Sequence, residues 1–355
     1  MIPLAEVLRR HWPAYEQKYR ARLLPSHRRA VSAMLSCRTA ALGGQLFRCE
    51  CGKEHYAYHS CNHRACPKCG HADATEWLNG QRRRLLPVPY YLVTFTVPAQ
   101  LRKLIRSHQK ILYALLLRES AAALADVARE HKDLGAEIAC LAVLQTWTRN
   151  LRFHPHVHCV VPAGGLSADA LRWISPKREN YFLPQAVLAL RLRTRFQAAL
   201  QKDHPQLLAQ VPALVWSLLW VADVQPVGTG EPALKYLAAY VYRTAFSSER
   251  IVSDDGQHIT FSYRDGKERK TRTARLSAEA FLHCFLQHIL PTGFQRVRYF
   301  GWLAPAAKAR WQRVLALLDY QPPAKLPALA LPPPLCPSCK KPMALIGLFP
   351  RAPPR

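Results

Sequence analysis

The stretch "FHPHVHCVV", residues 153–161, puts His154, His156 and His158 at every second position of an otherwise apolar run. Side chains two apart on a strand share a face. As a strand, the run turns three imidazoles one way and sends Pro155, Val157, Cys159 and Val161 into a core. One histidine so placed is ordinarily a satisfied core residue, whereas three in register point to a site. The preceding "EIACLAVLQTW" reads as a second strand, joined to the first by the short basic turn "TRNLR". A turn centred near residue 151 sets Gln145 opposite residues 156–158, with Ile138, Cys140, Ala142 and Leu144 facing away.

Two chemistries fit such a face. In one, His156 and His158 hold a divalent metal ion with Gln145 or His154 as third ligand, and the open positions polarise a scissile phosphate. In the other, the run is a histidine-triad nucleotide hydrolase motif with one histidine as nucleophile. Charge separates them. Fifty Lys and Arg against 23 Asp and Glu give a net charge of +27, a field that draws polyanions, nucleic acid first among them. The scarcity of carboxylates also weakens any nuclease built on a cluster of acidic metal ligands. A histidine-triad enzyme is usually a small chain of modest charge and has no use for the eleven cysteines found here.

Those cysteines are concentrated. "FRCECGKEHYAYHSCNHRACPKCG" supplies Cys49, Cys51, Cys61, Cys66 and Cys69 in a segment poor in apolar residues. Cys66 and Cys69 have the spacing that lets two thiolates of one tight turn share a tetrahedral zinc ion. Cys49 and Cys51 are closer than usual, so one of them is a candidate bystander, with Cys61, His59 or His63 completing the site. Zinc here substitutes for a hydrophobic core. Arg64, Lys68 and the neighbouring cations Arg48, Lys53 and Arg82–Arg84 mark the module as DNA-facing. A further C-x2-C pair, Cys336 and Cys339, offers only two ligands and binds metal weakly unless it docks on another half-site.

The opening "MIPLAEVLRR" is a short amphipathic segment rather than a signal peptide, and no run is long and apolar enough to span a bilayer. The expected address is cytoplasmic, with no membrane partner. A helix is predicted over 27–42, a strand at "YYLVTFTVP", and a long helix over about 101–131. Helices follow near 185–202, 232–247, 277–290 and 305–319, with a hairpin around "SDDGQ" and a proline-rich stretch after 320 that reads as an extended linker.

The helix "EPALKYLAAYVYRTAFS" offers a nucleophile. Leu234, Leu237, Ala238, Val241 and Ala245 form its apolar side, while Tyr236 and Tyr240, four apart, share another face. Lys235 and Arg243 stand close enough to assist phosphate binding. A phenolate attacking a metal-polarised phosphodiester leaves a 5′-phosphotyrosine and a free 3′-hydroxyl, keeping the bond energy for rejoining.

With these pieces assembled, the chain resembles the HUH endonucleases, and among them the two-tyrosine rolling-circle transposases of bacterial insertion sequences of the IS ninety-one type. The matching stretches are "CRTAALGG", "HYAYHSCNHRACPKC", "VTFTVP", "LQTWTRNLRFHPHVHCVVPAGGL", "KYLAAYVYR" and "HILPTGFQRVRYFGWLA", which run from about residue 37 to 304. The resemblance implies an α+β fold: a cysteine-rich zinc-binding N-terminal domain, then a ferredoxin-like HUH domain with an antiparallel sheet and flanking helices. The corresponding division is 1–85 helical and zinc-binding, 86–320 HUH transposase, and 321–355 tail with the C-x2-C pair. It implies His156 and His158 as ligands of a Mg or Mn ion, Gln145 where relatives tend to carry a histidine, Tyr236 as first nucleophile and Tyr240 as second. The implied partner is single-stranded or hairpin DNA at element ends. A histidine-triad hydrolase and a non-catalytic zinc-finger DNA-binding protein are the alternatives.

Overall fold

The computed structural model describes residues 2–178, 181–241, 246–266, 268, 270–325 and 332–351, without the side chains of His71, Ala72, Ala239 and Tyr240. The chain is α+β and divides into two compact units. One is continuous apart from a late return and comprises Thr75–Val241 and Leu290–Ala324. The other is assembled from Met1–Ala74, Tyr242–Ile289 and Lys325–Arg355. The 86–320 segment expected as one domain therefore contributes to both units. Linear order cannot reveal such interleaving, because only tertiary packing shows which segments share a core.

The first of these units is built on a five-stranded antiparallel sheet. Its order across the sheet is Val297–Phe300, Cys140–Trp147, Phe153–Pro162, Tyr90–Thr96 and Val221–Pro226. The histidine strand Phe153–Pro162 lies in the middle. Strict alternation gives the sheet two different faces. Val93, Phe95, Ala142, Leu144, Val157, Cys159 and Val161 form one, packed under Leu112, Leu116 and Leu124 of helix Gln109–Glu130 and Leu188, Leu192 and Phe196 of helix Gln185–Asp203. The predicted long helix over 101–131 is broken at His108, whose φ of −123° and ψ of 45° separate Arg102–Ser107 from Gln109–Glu130.

The tyrosine helix Glu231–Val241 starts just after Gly230, which has φ +79°. A Cβ there would stand 2.7 Å from the buried Tyr90 ring, so both conformation and space require glycine. Gly230→Ala is expected to cost about 2–4 kcal/mol in a urea titration, from left-handed strain plus the clash. An unchanged midpoint would show that the helix start is not pinned there.

In the second unit, helices Leu4–Tyr19 and Pro25–Ser36 join strands Ile251–Asp254, His258–Arg264 and Thr271–Ser277 and helix Ala278–Leu286. Phe246, Phe261, Phe281 and Phe285 are buried, and the first three meet edge-on or tilted. Polar contacts among them include His11 Nε2 to the Asp254 carboxylate at 3.0 Å and the Leu4 amide donating to Ser248 Oγ at 3.1 Å. The predicted helix 27–42 stops at Ser36, since Arg38 takes φ +57° and only a short 3-10 turn, Ala40–Leu42, precedes Gly43. A second antiparallel sheet pairs Gly44–Arg48 with both Glu54–Tyr58 and Ala344–Phe349. The late strand Ala344–Phe349 lies beyond the proline-rich stretch and the C-x2-C pair, and the sequence reading assigned it no element. Among the described residues no helix is long and apolar enough to cross a membrane.

Candidate active site and metal centres

The sheet face opposite the two packed helices carries the histidines. Register pairs His156 with Gln145 on one neighbouring strand and His158 with Thr94 on the other. His156 and His158 are both buried, and their rings meet edge-on with centroids 4.8 Å apart.

Each ring is oriented by a specific partner. His156 Nδ1 lies 2.7 Å from the His154 carbonyl oxygen. A carbonyl only accepts, so Nδ1 carries the proton and Nε2 presents its lone pair. His158 Nε2 lies 3.1 Å from Gln145 Oε1, and its Nδ1 lies 2.9 Å from Thr94 Oγ1. The amide oxygen only accepts, so here Nε2 carries the proton and Thr94 donates to Nδ1. Because a hydroxyl can also accept, Thr94 would equally hold the Nδ1–H tautomer that frees Nε2 for a metal. The Gln145 amide nitrogen donates to the Trp147 carbonyl at 3.2 Å, which aims Oε1 at the histidines.

Burial pushes the His156 imidazole down to about 3 and that of His158 to about 4. Both are neutral near pH 7, the form that binds a metal. Two neutral imidazoles with one ring nitrogen each tied to a backbone or hydroxyl oxygen, plus an aimed amide oxygen, fit a divalent ion and leave coordination positions open. His154 is half-buried and engaged elsewhere: the Arg102 guanidinium donates to its Nδ1 at 2.8 Å. Arg102 and Thr94 were not singled out in the sequence. The alternating threonines of "VTFTVP" signal a polar face for the second, whereas nothing local marks the first.

The tyrosine helix completes the site. Ala233, Leu234, Leu237, Ala238 and Val241 are buried, and Tyr236, 39% exposed, sets its ring edge-on to His158 with centroids 5.7 Å apart. The side chain of Tyr240, and Arg243 and Ala245 entirely, lie outside the described residues. Lys235 is exposed and paired with Glu231 at 2.9 Å. Arg64 is half-buried and Lys68 exposed, in the turns before and between Cys66 and Cys69.

The cysteines gather in two groups rather than one. Cys61, Cys66 and Cys69 join Cys37, which the sequence reading passed over, with Cys69 Sγ 3.4 Å from Cys37 Sγ and 3.6 Å from Cys61 Sγ. Cys49 and Cys51 join Cys336 and Cys339 instead. Neither His59 nor His63 belongs to a group, and His63 Nδ1 accepts from the Ala65 amide at 3.1 Å. In the first group the Cys61 thiol is drawn down to about 5, chiefly by the hydrogen bond from Cys66, whose own thiol is pushed up by it. Without a cation only part of such a group can ionise, and a divalent ion is what lets four thiolates coexist.

Two family models match the chain: one described as "Putative transposase" over residues 139–310, the other as "Transposase zinc-binding domain" over residues 7–97. A relative from Sinorhizobium fredii, named "Putative transposase y4qJ", is 36% identical over 84% of this chain and 80% of its own length. Another from Pseudomonas savastanoi pv. phaseolicola, "Transposase for insertion sequence element IS801", is 28% identical over 77% of this chain and 69% of its own. No solved structure gives a significant match. The chain belongs to the IS ninety-one (IS91) family of insertion-sequence transposases, with that family's zinc-binding domain in its N-terminal region.

Proposed function

We propose that this transposase nicks and joins single-stranded DNA at the ends of its element through 5′-phosphotyrosine intermediates, in rolling-circle fashion. The observation that carries the reading is the Tyr236 ring set edge-on to His158, which with His156 forms a buried pair on the middle strand. His156, His158 and Gln145 are the residues that would hold a Mg or Mn ion. When bound, that ion supplies Lewis-acid polarisation of the scissile phosphate.

The chain's own residues do the rest. Tyr236 Oη attacks phosphorus; the Oη–P bond forms as the P–O3′ bond breaks, the phenol loses its proton, and the departing oxygen gains one to become a 3′-hydroxyl. Arg102, beside His154, brings a fixed positive charge to the rim of the site and suits a backbone phosphate. Tyr240, one turn on, provides a second covalent junction, so that two cut ends are held together. Arg64 and Lys68 in the cysteine-rich module, with Lys235 and Arg243 on and after the tyrosine helix, contact phosphates of single-stranded or hairpin DNA. In the N-terminal region, Cys37, Cys61, Cys66 and Cys69 hold one structural zinc ion.

The test is incubation of the full chain with end-labelled single strands from the element's termini and Mn, followed by a denaturing gel. A labelled band at protein size supports the reading; DNA binding without any adduct sinks it in favour of a non-catalytic DNA-binding protein. Thr94→Val should weaken manganese binding, because His158 loses the partner that orients its Nδ1. A rise of roughly 10–100-fold in the Mn concentration needed for half-maximal nicking is expected.

A further inference from the structure

Cys49 and Cys51, at the end of strand Gly44–Arg48, face Cys336 and Cys339, which precede strand Ala344–Phe349. Cys49 Sγ is 3.3 Å from Cys339 Sγ, and Cys51 Sγ is 3.7 Å from the sulfurs of both Cys336 and Cys339. These separations lie far beyond a disulfide bond of about 2.05 Å. They approach the edge of about 3.8 Å that four sulfurs make around an ion at about 2.3 Å.

The two half-sites are built alike. Gly52 donates its amide to the Cys49 carbonyl at 2.9 Å and takes φ +83° directly after the second cysteine. Lys340 donates to the Cys336 carbonyl at 2.9 Å and takes φ +60° in the same relative place. Each turn thus curls its two sulfurs toward one point, and the narrow Cys49–Cys51 spacing is compensated by an opposing pair of ordinary spacing. The ion pair Lys341 Nζ to Glu50 Oε2, 3.1 Å, links the turns. Among the described residues the buried cluster at the sulfurs is Cys49, Cys336 and Met343 with Phe47 against it, too little apolar surface to hold two segments together unaided.

We propose that Cys49, Cys51, Cys336 and Cys339 form a second tetrathiolate zinc site, distinct from the Cys37 group, which closes a zinc ribbon from segments about 285 residues apart. The ion clamps Ala344–Phe349 onto Gly44–Arg48, so the late segment is an integral part of the zinc-binding module. The site stands independently of the nicking chemistry.

Cobalt titration of the metal-stripped full chain tests it, because thiolate-to-cobalt charge-transfer absorption reports only sulfur-ligated ions and is silent for the histidine site. The wild type should saturate at two cobalt ions per chain, and the purified holoprotein should release one zinc more than the Cys336→Ser/Cys339→Ser variant. That variant should lose half of the charge-transfer intensity. Cys339→His should restore the second equivalent with a weaker band, since zinc and cobalt accept imidazole. Saturation of the wild-type band at one ion, or an intensity untouched by Cys336→Ser/Cys339→Ser, would overturn the proposal.

Discussion

Tyr236→Phe should abolish adduct formation and nicking, a fall on the order of 10⁴–10⁶-fold, while leaving DNA binding and stability nearly unchanged. The size follows from chemistry: removing a nucleophile's oxygen leaves no group able to form the covalent bond, and losses in that range accompany removal of other enzymes' nucleophiles. The small structural cost follows from the setting. Tyr236 is 39% exposed and contributes its ring edge to His158, which phenylalanine preserves. Tyr240→Phe, in contrast, should spare the first cleavage and lower strand transfer, because its role is to hold the second end. Full nicking by Tyr236→Phe with none by Tyr240→Phe would exchange the two roles.

His156→Ala with His158→Ala should remove metal-dependent nicking, with a loss of roughly 10³-fold or more, as two of the three candidate ligands disappear. Folding should survive, because the pair lies on the sheet face away from the Val157, Cys159 and Val161 packing. Circular dichroism and manganese binding by calorimetry separate the two effects. Native helicity with no manganese heat is the expected result; unaltered nicking by the double variant would exclude the metal assignment. Gln145→His is expected to retain the ion, since an imidazole in register with His156 replaces one donor with another.

Much of this site was legible because its grammar is local. Period-two alternation made "FHPHVHCVV" a strand with a polar face, and the short turn to "EIACLAVLQTW" set Gln145 against His156. The apolar stripe Leu234, Leu237 and Val241 fixed which side of the tyrosine helix is buried. Where residues meet only through the fold, local grammar was silent. Arg102 reaches His154 from a different element. Cys37 follows a helix 24 residues before Cys61, and Cys336 meets Cys51 across 285. Spacing rules describe ligands of one turn, so they identified half-sites and could not pair them. The interleaved second unit escaped for the same reason: segments 242–289 and 325–355 show no periodicity that announces a shared core with the first 74 residues.

Nicking as proposed requires that Tyr236 become covalently joined to DNA. Mass spectrometry of the adduct, after nuclease and trypsin digestion, tests it directly. Cleavage after Lys235 and Arg243 yields "YLAAYVYR", residues 236–243, whose three tyrosines are told apart by fragmentation. A nucleotide 5′-phosphate on Tyr236 is expected after the first cut. A phosphate on a histidine of "FHPHVHCVV", or on no residue of the tyrosine helix, would contradict it.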